Sequence, residues 1–100
     1  MQHLIIVKYT DLVTDREAFR QEVEALFKPL TDIEGVHEVK LIPGKPLREN
    51  RYDLIIAIRM DEDVLGVYDE CDIHKKWKRD YAKYVAQKAI FDFDEGKARF

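Results

Sequence analysis

Two unbroken aliphatic runs, Leu4-Ile5-Ile6-Val7 and Leu54-Ile55-Ile56-Ala57-Ile58, restrict the folds open to this chain more than any other feature. Successive side chains of a strand point to opposite faces of its sheet. A sheet with one wet face therefore alternates apolar and polar residues along each strand. These runs do not alternate, so a sheet built from them is apolar on both sides. Ile90, Phe91 and Phe93 put bulk on both faces of a further strand. Helices of the same chain can cover one face, and the other needs a cover too.

The remaining segments supply those helices. Residues 3–9 are β-branched and aromatic and read as the first strand. Thr14 and Glu17 have the spacing of a capping box, with Val13 and Ala18 at the staple positions. Phe19, Val23, Leu26, Phe27 and Leu30 recur at three- and four-residue intervals, giving one apolar helix face. Glu24 and Lys28 have the spacing of an outward ion pair. Pro29 lacks an N–H and should end or kink this helix.

Gly35 permits a turn into a strand over 36–42, and a loop through Pro43-Gly44-Lys45-Pro46 runs to about Asn50. Residues 51–60 read as a buried strand. Asp61 can cap a short helix reaching Tyr68, with a break near Cys71-Asp72. A longer helix over 73–87 would bury Ile73, Trp77, Tyr81, Tyr84 and Val85. A last strand over 89–94 and a polar tail complete the chain.

The order strand, helix, strand, strand, helix, strand predicts an α+β fold. It is that of a ferredoxin-like βαββαβ domain, with an antiparallel sheet and both helices on one face. One hundred residues suit one domain, with a core over 2–95. The face without helices would be an apolar patch of a size monomers rarely expose. A two-fold homodimer packing sheet against sheet removes it with one self-complementary surface.

Composition narrows the partners. With 17 basic and 20 acidic side chains there is no basic excess of the kind nucleic-acid or membrane binders carry. Lys75, Lys76, Lys78, Arg79 and Lys83 surround Trp77 and Tyr81, a pattern that a phosphate-binding stripe would share. The two aromatics lie on the apolar helix face with Ile73, however, so the lysines read as a solvated face and no nucleic-acid partner is expected. The longest apolar run is too short for a membrane span, and the start of the chain lacks the pattern of a signal peptide. The single cysteine, Cys71, cannot form an internal disulfide. A cytoplasmic protein is expected. The four glycines are scattered, without a flavin or dinucleotide motif, so no cofactor is expected. Cys71, Asp72 and His74 fall short of a converging zinc set, and no metal is expected.

The same segments resemble the stress-responsive A/B-barrel (Dabb) family over roughly residues 2–95. His3 followed by Leu4-Ile5-Ile6-Val7 is similar to that family's opening strand. Arg51-Tyr52-Asp53-Leu54 resembles its third strand, and Ile90-Phe91-Asp92-Phe93 its last. Tyr68, Cys71 and His74 fall where the family commonly has a tyrosine and two histidines, spaced Y-x-x-H-P-x-H. Cys71-Asp72 replaces the His-Pro, and Pro29 interrupts a helix that usually runs further. The resemblance implies a dimer closed into an α/β barrel, in a family many of whose members have no assigned biochemical role.

One branch of that family is enzymatic, the plant polyketide cyclase that makes olivetolic acid by aldol condensation. Its acid/base pair is placed like Tyr68 and His74, and a pocket histidine on its first strand corresponds to His3. Another, on its third strand, corresponds to Leu54, so that group is absent here. The resemblance implies His74 as general base and Tyr68 as hydrogen-bond donor. An imidazole titrates near neutral pH, and a phenol can support a developing oxyanion. The candidate ligand-binding residues are His3, Tyr68, His74 and Trp77. Three functions follow: a stress-response homodimer binding a small, largely apolar molecule; a cyclase- or lyase-type enzyme; or a structural protein whose specific partner is itself. The first two require a cavity between helices and sheet lined by Tyr68, His74 and His3. The third requires that region to be tightly packed.

Overall fold

The computed structural model describes residues 1–98. Strand β1 (Gln2–Tyr9) leads to helix α1 (Arg16–Phe27), then to strands β2 (Val36–Pro43) and β3 (Leu54–Met60). Two short helices follow, α2 (Leu65–Glu70) and α3 (Asp72–Asp80), before strand β4 (Val85–Phe93). All pairings are antiparallel, in the order β2-β3-β1-β4. The two aliphatic runs become the central pair, β1 and β3.

Alternation along the strands sorts their residues. Ile5 and Val7 of β1, with Leu54, Ile56, Ile58 and Met60 of β3, point toward the helices. They form the core with Phe19, Val23 and Phe27 of α1 and Trp77 of α3. Leu4, Ile6, Ile55 and Ala57 take the opposite face, and the register adds Ala89, Phe91 and Phe93 of β4 and Ile42 of β2. Among the described residues no helix packs on that side. Phe91 is 56% exposed there. The polar groups Glu38, Arg59 and Glu95 sit around it, with Arg59 Nε 3.9 Å from a carboxylate oxygen of each.

Several local expectations change. Asp15, not Thr14, caps α1, its Oδ1 accepting from the N–H of Ala18 at 3.0 Å. Asp15 is one residue closer to the first full turn, so its carboxylate reaches the free N–H groups and Thr14 does not compete. Glu17 pairs with Arg20, and Glu24 also pairs with Arg20 rather than with Lys28, at 2.9 Å. Pro29 does end the α-helix, and a 3₁₀ turn, Lys28–Asp32, takes over. Asp61 makes no side-chain cap; its Oδ1 lies 2.8 Å from Nε2 of His37. Gly35 turns with φ +92, where an added Cβ would lie 2.4 Å from Val64.

The largest differences concern the ends of β3, α3 and β4. Strand β3 starts at Leu54 rather than at residue 51. Helix α3 stops at Asp80, a 3₁₀ turn (Ala82–Tyr84) follows, and β4 begins at Val85 instead of 89. Residues 85–88 look helical in isolation but pair with Tyr9–Val7 of β1. The carbonyls of Lys83 and Tyr84 accept from the hydroxyl and the N–H of Thr10, at 2.8 and 2.9 Å. Ladder bonds to a central strand outweigh weak helix propensity. The expected tail lies partly outside the described residues; within them Glu95–Lys97 forms a 3₁₀ turn.

Candidate functional site

Three residues from distant parts of the chain meet on the helix side of the sheet. His3 points inward from β1, as do Ile5 and Val7. Tyr68 sits on α2, which the preceding 3₁₀ turn (Glu62–Val64) lays over the sheet. The break at Cys71, with extended backbone (ψ 156), turns the chain so that His74 in the first turn of α3 faces back to Tyr68. The Cys71 thiol caps that turn, 3.5 Å from the N–H of His74. Tyr68 thus lies between two imidazoles. Its ring centroid is 5.4 Å from that of His3, edge to face, and 4.6 Å from that of His74.

Both imidazoles of this cluster have a hydrogen-bond partner at Nδ1. Nδ1 of His3 is 2.5 Å from Oδ1 of Asp92, which stands directly opposite it on β4. An ionised carboxylate only accepts, so Nδ1 carries the hydrogen. Nδ1 of His74 is 3.0 Å from the carbonyl oxygen of Asp69. It too must donate, which leaves the lone pair of the neutral ring on Nε2. The Tyr68 hydroxyl is fully buried and has no hydrogen-bond partner among the described residues. Burial pushes its pKa well above the ordinary phenol value, and the nearby Cys71 and Asp69 add to this. It is a neutral donor at any physiological pH.

Of the residues expected at the site, His3, Tyr68 and His74 come together. Trp77 joins a second aromatic group, 5.4 Å from Phe27 and stacked at 5.6 Å on Tyr81. It also lines an open cleft of about 220 Å³ with Lys78, Ala82, Val85 and Lys88. Other clefts, at Leu12–Tyr84 and Arg20–Lys28, are lined by residues outside the histidine–tyrosine cluster. Leu54 is a buried core residue. Among the described residues no three metal-ligating side chains converge, and no helix is long and apolar enough to cross a membrane.

Two acidic residues have roles the sequence reading did not assign. Asp92 is the partner of His3, and only the β1–β4 register reveals that. Asp53 is buried just before β3. It accepts from the N–H of Tyr9 at 2.7 Å and from Arg16 at 2.8 Å, tying β1 to the start of α1. An aspartate directly before an aliphatic run was the available signal.

Helices on one face of a four-stranded antiparallel sheet, in the order β2-β3-β1-β4, are also found in solved proteins. A dimeric protein of unknown function from Bacteroides fragilis superposes with a TM-score of 0.75 at 13% identity, covering 93% of each chain. The fold is ferredoxin-like. A Dabb family protein with this fold from Mesorhizobium loti gives 0.68 at 20% identity, again over 93% of each chain. A dimeric ferredoxin-like protein of unknown function from Thermobifida fusca gives 0.71 at 19%, over 92% of this chain and 87% of its own. No protein-family profile matches the ferredoxin-like chain, and no curated protein does.

Proposed function

We propose that this chain is a Dabb-type homodimer whose subunits pack sheet against sheet, and that the Tyr68 cluster receives a small, largely apolar molecule. The observation that carries the dimer is the sheet face bearing Leu4, Ile6, Ile55, Ala89, Phe91 and Phe93, on which no helix of the described chain rests. Covering it removes apolar area from water at roughly 25 cal/mol per Å². The dimeric ferredoxin-like neighbours support the same assembly.

The ligand reading rests on the Tyr68 hydroxyl. A buried donor without a partner costs about 1–3 kcal/mol, and a ligand oxygen or an ordered water would recover it. Access would come from movement of α2. That helix has six residues and no side-chain N-cap, the profile of a locally weak element. Catalysis is the second reading, favoured by one feature: the bond from Nδ1 of His74 to Asp69 leaves Nε2 as a base beside a phenol that stays protonated.

Sedimentation equilibrium tests the assembly. The parent protein should sediment as a dimer at micromolar concentration, and Phe91→Asp should sediment as a folded monomer. A parent protein that stays monomeric at high concentration overturns the dimer. For the site, His74→Ala should keep its oligomeric state and lose binding across a panel of small aromatic and polyketide-like compounds. Unchanged binding removes His74 from the site.

A further inference from the structure

We propose that α2 is a lid over the His3–Tyr68–His74 cluster, with Tyr68 as its latch and Gly66 as the residue that keeps it easy to open. The inference rests on the reading of that cluster as a binding site. Of residues 61–70, Tyr68 is buried, Val64 and Leu65 are half-buried, and the other seven are exposed. One side chain therefore supplies most of the apolar burial that holds the segment down. Segments with so few buried contacts open at a fraction of the cost of global unfolding.

Both ends of the segment are pinned. The N–H of Asp61 donates to the carbonyl of Gly35 at 2.8 Å, its carboxylate meets His37, and the Val64 side chain crowds Gly35. At the far end the backbone is extended at Cys71, whose thiol caps α3. The piece free to move is α2 itself. Nothing in its geometry asks for glycine at position 66. No atom lies within 4 Å of a Cβ added there, and its φ is not positive. An alanine would fit and would favour the closed helix about two- to fivefold over the open one.

Closing the lid has two opposed effects. It carries the Tyr68 hydroxyl out of water to a place where it has no partner among the described residues, which favours opening. It also brings the carbonyl of Asp69, on α2, to within 3.0 Å of Nδ1 of His74, on α3. That bond keeps the His74 lone pair on Nε2. A ligand oxygen that accepts from Tyr68 would therefore hold the lid shut and complete the site in one movement.

Amide hydrogen exchange, read by NMR on the full chain without any ligand, tests the lid. The amides of Tyr68, Asp69 and Glu70, inside α2, should exchange at least about a hundredfold faster than those of β3, through an opening that leaves the core closed. Gly66→Ala should slow them about two- to fivefold. Tyr68→Phe, which removes the unpaired hydroxyl, should slow them at least about fivefold. The proposal is overturned if these amides are as protected as those of β3, or if either variant leaves their rates unchanged. Binding of the aromatic panel tests the site itself, so fully protected α2 amides beside binding that needs His74 would overturn the lid alone.

Discussion

The Nδ1 of His3 and Oδ1 of Asp92 lie 2.5 Å apart although 89 residues separate them, because the antiparallel register of β1 and β4 sets them face to face. The His3 side chain is 8% exposed and that of Asp92 40%, so the imidazole depends on this one partner far more than the carboxylate does.

Asp92→Ala should therefore destabilise the fold by about 1–3 kcal/mol, the cost of leaving a buried polar group unpaired. Asp92→Asn should cost less, since an amide oxygen still accepts. Urea denaturation of the three proteins gives the order. An alanine variant as stable as the parent would show that the bond contributes nothing to folding.

Asp53→Ala should be more damaging than Arg16→Ala. The aspartate satisfies both the Tyr9 N–H and the Arg16 guanidinium. Its removal strands a backbone donor at a cost of about 1–3 kcal/mol. Arg16 is 42% exposed, so water can partly take its place at a carboxylate that keeps its bond from the Tyr9 N–H. Equal losses in parallel unfolding experiments would place the weight on the ion pair instead.

Tyr68→Phe should raise stability by about 1 kcal/mol, because it deletes a buried hydroxyl that has no partner. For a domain of this size that is a rise of about 4–8 °C in Tm. The same variant should weaken any ligand that takes the hydroxyl's hydrogen bond, a trade of function against stability. A fall in Tm would mean that the hydroxyl is already satisfied in solution.

Alkaline pH should destabilise the protein through its buried phenols, Tyr68 among them. Burial pushes Tyr9 up to about 12. It does the same to Tyr81, whose hydroxyl also donates to Glu22 at 3.0 Å. In the unfolded chain both titrate near 10, so between pH 10 and 12 the folded state holds the protons more tightly. Stability is then complete below pH 10 and falls as pH rises toward 12. Tyr81→Phe should flatten that fall in urea midpoints measured at pH 8 and pH 11. An identical slope in parent and variant would remove Tyr81 as a source.

The amino-acid pattern alone determined the element order, the two aliphatic strands, the break at Cys71, the end of α1 at Pro29 and the apolar character of both sheet faces. These follow from local rules: side-chain periodicity, the missing N–H of proline, and the burial of aliphatic runs. The bringing together of Tyr68 and His74 was also legible, since both flank one chain break. Tertiary structure decided where α3 gives way to β4, because residues 85–88 gain a full set of ladder bonds only when β1 is beside them. It decided, too, that Asp92 serves His3 and that Asp53 serves Tyr9 and Arg16. A carboxylate's partner depends on strand register and close packing, which involve residues far apart in sequence.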